Sequence, residues 1–110
     1  MLEETVKKME DAIRRIDSAE SSDKAELLSL LSSLRSEVQR LSATHEEQAH
    51  SIASLADMAA HEATRQEKSP ELLQHSLTGL GLSAQGFEAS HPDLVETINE
   101  ICVMLARIGI

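Results

Sequence analysis

Residues 24–41, KAELLSLLSSLRSEVQRL, decide the fold class of this 110-residue chain. Leu27, Leu31, Leu34, Val38 and Leu41 are spaced by four, three, four and three, so a helix of 3.6 residues per turn gathers them into one seam. Leu28 and Leu30 widen the stripe. The phase continues through His45, Gln48, Ile52, Leu55 and Ala59 without a skip, and predicts one helix over residues 24–67, roughly 66 Å long at 1.5 Å per residue. Thr44 followed by Glu47 has the form of a capping box that would break this helix near residues 42–44. The continuous helix is the expectation, because an in-phase heptad across a loop would be a coincidence.

Working outward, Leu2, Val6, Met9, Ile13 and Ile16 repeat the same alternation and predict a first helix over residues 2–18. It ends in the polar run Asp17 to Asp23, where Asp23 with Glu26 caps the long helix. On the other side Ser69-Pro70 marks a boundary, since proline suits a first helical turn and the residue before it avoids helical geometry. A third helix over residues 71–89 carries Leu73, Leu77, Leu80, Ala84 and Phe87. Its second stripe, Ser76, Gly79, Ser83, Gly86 and Ser90, is made only of small residues. Two readings of it stay open: a face for close helix approach, or a loop over residues 78–86 where glycines make helix costly. Ser90-His91-Pro92-Asp93 then starts a fourth helix, residues 92–108, with Leu94, Ile98, Ile101, Leu105 and Ile108 in one seam, Val95 and Cys102 beside it, and Gly109 placed to end it.

Composition agrees. Phe87 is the only aromatic residue and there is no Trp or Tyr, so the core is aliphatic and strand-favouring residues are scarce. The expected architecture is all-α: one domain over residues 1–110, a heptad-patterned helical hairpin or bundle, coiled-coil-like, around a long central helix. That helix outruns its neighbours, and exposed Leu and Ile faces are costly at about 25 cal/mol per Å². A homo-oligomer, dimer or tetramer, is therefore expected. The seam for core and assembly is Leu34, Val38, Leu41, His45, Gln48, Ile52 and Leu55 with Leu94, Ile98, Ile101, Leu105 and Ile108. His45 and Gln48 are polar members of it, a pattern that fixes register or oligomer state.

The C-terminal segment FEASHPDLVETINEICVMLARIGI resembles an uncharacterised bacterial family, domain of unknown function 4404, at Phe87, Glu88, His91, Pro92, Leu94, Ile98, Ile101, Leu105, Gly109 and Ile110. The resemblance implies a helical fold and no activity.

Net charge is −9, and Ser69 to Ala106 has no Lys or Arg while holding Glu71, Glu88, Asp93, Glu96 and Glu100. Such a surface repels phosphate backbones and anionic headgroups, so nucleic acid and membrane are poor partners. A lone cysteine, no signal peptide and no bilayer-length apolar run fit the cytoplasm.

Catalytic motifs fail on spacing. His45-Glu46 and His61-Glu62 begin a zinc-protease pattern, but His50 follows His45 by five residues and leaves its face. Gly79-Leu80-Gly81-Leu82-Ser83-Ala84 matches a dinucleotide fingerprint with no strand before it. Glu47 with His50 and Glu88 with His91 satisfy the Glu-x-x-His spacing of di-iron bundles and are the candidate metal ligands; the motif is weak evidence in a chain this rich in Glu, and a solvated face and a helix cap are the simpler readings. Cys102, with no His one turn away, reads as a structural thiol. The expected function is a non-catalytic, self-associating interaction or scaffold protein without cofactor, its partner itself or an unidentified protein. The alternative is a small helical metal-binding protein or metalloenzyme built on the Glu-x-x-His pairs.

Overall fold

A computed structural model describes residues 2–14, 21–65 and 67–109, without the side chains of Leu2, Glu3, Val6, Ala12, Ile13 and Ser21. These residues form five helices, α1 (Leu2–Arg14), α2 (Ser21–Ser42), α3 (Glu46–Thr64), α4 (Pro70–Ser83) and α5 (Pro92–Gly109), and no strand among them. Of the first expected seam, Met9 is buried in the core. The side chains of Leu2, Val6 and Ile13, and all of Ile16, lie outside the described residues, as does the expected end of that helix at residue 18.

The long helix over residues 24–67 is corrected to two, α2 and α3, separated by a turn at residues 43–45. The backbone N–H groups of Ala43, Thr44 and His45 turn back onto the carbonyls of Arg40, Leu41 and Leu41. The Thr44 hydroxyl donates to Leu41 O at 3.4 Å, closing the end of α2 instead of capping α3. His45 holds the N-cap position without a side-chain capping bond. The break lets both halves of the seam face one core. The radius of gyration is 12.9 Å and the longest extent 38 Å, against about 13 Å expected for a folded chain of this size.

α3 touches each of the other four helices, while α1 meets only α2 and α3, and α4 only α3 and α5, among the described residues. Its composition explains the position. Ala49, Ala53, Ala56, Ala59, Ala60 and Ala63 are all buried, and methyl side chains let neighbouring backbones approach from several sides at once. Around it Leu27, Leu31, Leu34, Val38, Leu41, Ile52, Leu80, Leu94, Ile98, Ile101 and Leu105 form the aliphatic core. Glu10 with Arg35 joins α1 to α2, and Arg107 with Asp23, at 3.6 Å, joins α5 to α2.

The third expected helix, residues 71–89, is shorter, Pro70–Ser83, and residues 84–90 form turns instead. Ser69 caps it, its hydroxyl accepting from Leu72 N–H at 3.4 Å. The small-residue stripe divides between its two readings. Ser76 is buried and a Cβ at Gly79 would sit 3.2 Å from Leu55, so this part is a close helix face against α3. Gly86 is in the loop with φ +98°, a conformation glycine adopts without steric cost. Gly109 ends α5 in close packing: a Cβ there would displace the end of the Leu73 side chain and lie 3.4 Å from Ala63 Cα.

Candidate functional site

Two features stand apart from the core. The first is a ring cluster built from two connections. Gly86 turns the chain after α4, its N–H donating to the Glu88 carboxylate at 2.8 Å. The His91 N–H donates to Phe87 O at 2.7 Å, so Phe87 and His91 lie one turn apart at the entrance to α5. His45 arrives from the α2–α3 turn. Its ring meets Phe87 edge-on with centroids 5.4 Å apart and His91 at 6.4 Å, and Phe87 meets His91 at 5.7 Å. The arrangement suits aromatic contact. In both histidines Nδ1 is occupied by the preceding hydroxyl, Thr44 Oγ1 at 2.8 Å for His45 and Ser90 Oγ at 3.0 Å for His91.

The second feature is an apolar groove of about 410 Å³ between α4 and α5, lined by Lys68, Pro70, Leu73, Gln74, Leu77, Ala106 and Gly109. Its one charged lining residue is committed. Lys68 Nζ donates to Ala63 O at 2.8 Å and Ile108 O at 3.2 Å, holding the C-terminal ends of α3 and α5, where a cation is favoured. Nearby, Cys102 sits half-buried with Sγ 3.8 Å from Leu77 O. Burial pushes its thiol pKa up, the direction that weakens a nucleophile.

The chain's own core takes most of the expected seam. Leu34, Val38, Leu41, Ile52, Leu94, Ile98, Ile101 and Leu105 are buried, while Leu55, His45 and Ile108 are half-buried and Gln48 is exposed. The Glu-x-x-His pairs separate. Glu47 is exposed and His50 partly so, its Nε2 4.0 Å from Glu46 instead, and Glu88 is bound to the Gly86 N–H. Among the described residues no group of three or more His, Cys, Asp or Glu is placed to hold a metal ion. Sequence reading missed both the pairing of His45 with Phe87 and His91 and the groove. Helical periodicity finds neighbours within a segment, whereas these contacts join distant connections.

A family model described as "Domain of unknown function (DUF4404)" matches residues 27–110. The chain belongs to the DUF4404 family. The match takes in α3, α4, α5 and most of α2, and so the ring cluster and the groove. It begins beyond α1, which packs against this shared part. No curated protein and no solved structure matches the chain. No helix among the described residues is long and apolar enough to cross a membrane.

Proposed function

We propose that this DUF4404 protein is a non-catalytic helical interaction protein of the cytoplasm that works as a homo-oligomer, with the α4–α5 groove as the contact between copies. The groove carries the reading. It is a largely apolar concavity between two helices, with Pro70, Leu73, Leu77, Ala106 and Gly109 along it. An apolar concavity between two helices suits a helical partner. The heptad phase that first suggested assembly is mostly satisfied inside one chain, so copies associate as folded units.

Charge sets the conditions. Each copy carries a net charge of −9, so two copies brought together repel, and salt should strengthen their association by screening. Light scattering coupled to gel filtration, at low salt and near 1 M, tests this. A mass above 12.0 kDa that rises with salt and falls in Ala106→Glu supports the reading. A mass near 12.0 kDa at every salt and up to hundreds of micromolar overturns it.

A further inference from the structure

We propose that His45 and His91 bind one divalent transition-metal ion and that the ion clamps the α2–α3 turn to the α4–α5 loop. The pair is distinct from both Glu-x-x-His spacings, since it joins two connections far apart in the chain.

The two imidazoles are prepared alike. Each Nδ1 lies against the hydroxyl of the residue before it, Thr44 at 2.8 Å and Ser90 at 3.0 Å. Of the two tautomers such a contact allows, the one in which Nδ1–H donates leaves the lone pair on Nε2. Metal binding selects that tautomer, and the hydroxyls then orient the rings as outer-shell partners do at histidine metal sites. Among the described residues Nε2 makes no hydrogen bond at either ring.

Separation sets a requirement, that the two rings close on binding. An ion about 2.0–2.1 Å from each Nε2 lies roughly 3.2 Å from each ring centroid, so two rings share it at centroid distances up to about 6.4 Å, and at about 5 Å in tetrahedral geometry. The observed 6.4 Å is the outer limit, and a closure of about 1 Å reaches the tetrahedral value. Phe87 touches both rings. With no third protein ligand placed beside them, water fills the remaining positions. Imidazole ligands prefer zinc, copper or nickel to magnesium or calcium. The positive ends of α3 and α5 oppose a cation, and Glu46, Glu47 and Asp93 in their first turns offset this.

Zinc is the probe. Calorimetric titration of zinc into the full chain, purified without chelator, should show one ion per chain, and the unfolding temperature should rise with zinc. His45→Gln and His91→Gln should each weaken binding at least tenfold, while His75→Gln, at an exposed position on α4, should leave it unchanged. No saturable binding below millimolar zinc, or binding untouched by the first two variants, overturns the proposal. Should either variant fail to fold by circular dichroism, ring-nitrogen spectra of the wild-type chain decide. Zinc must shift Nε2 of His45 and His91, and shifts at the other histidines alone refute the site.

Discussion

Ile101 is fully buried near the middle of α5, a helix packed against α2, α3 and α4. Replacing it with alanine removes three carbon groups, about 2.4 kcal/mol of transfer free energy at about 0.8 per group. The remaining cost is the void. With α5 enclosed by three helices, the site should not collapse fully and the loss should reach about 3 to 5 kcal/mol. A domain of this size has about 5 to 15 kcal/mol in total, so the variant should stay folded at 25 °C with little margin. Urea denaturation followed by circular dichroism measures this as a lowered midpoint at unchanged slope. The neighbouring change Glu100→Ala is the control: Glu100 is exposed, and its loss should cost under about 0.5 kcal/mol. Equal effects at the two positions would refute the assignment of the buried face of α5, and with it the packing of α5 described above.

The two alanine substitutions at Gly81 and Gly86 should differ in sign. Gly81 is helical with open space where a Cβ would stand, so Gly81→Ala should stabilise by about 0.4 to 1 kcal/mol, whereas Gly86→Ala must hold φ +98° and should destabilise by more than that, both read from urea midpoints. Cys102 should be alkylated by iodoacetamide more slowly in the folded chain than in urea at pH 8. Because its folded pKa is raised, the unfolded thiol ionises first. Its stabilising contribution is therefore complete below the unfolded pKa and lost as pH rises through the folded value, so Cys102→Ser should flatten the fall in stability above about pH 9.

The fold class was legible because it rests on local spacing. The seams of α2 and α5 each name their own buried residues, and Ser69-Pro70 marks the start of α4 to within a residue. The break between α2 and α3 was written in Thr44 and Glu47 but outweighed by the unbroken heptad. Both segments face one core, so the phase that suggested a continuous rod is retained across a turn. The role of α3 was obscured for a related reason: alanine adds little to a hydrophobic pattern, yet six buried alanines place this helix at the centre. His45 stands out in the sequence as a polar residue in an apolar seam, but the break between α2 and α3 places it beside Phe87 and His91 instead. Its neighbours, Phe87 and His91, come from a loop whose position depends on how α4 and α5 fold back, which no periodicity within α2 or α3 encodes.

The central position of α3 also governs how the molecule can come apart. Since among the described residues α1 meets neither α4 nor α5, detaching α1 uncovers one side of α3 and leaves the α4–α5 side intact, and the converse holds for α4. The chain therefore has two separable sub-global openings that share one helix, each less costly than complete unfolding. The amides of α3 are protected from exchange until both flanks have left, and the groove can open and reclose at its own rate while α1 and α2 keep the remaining core covered.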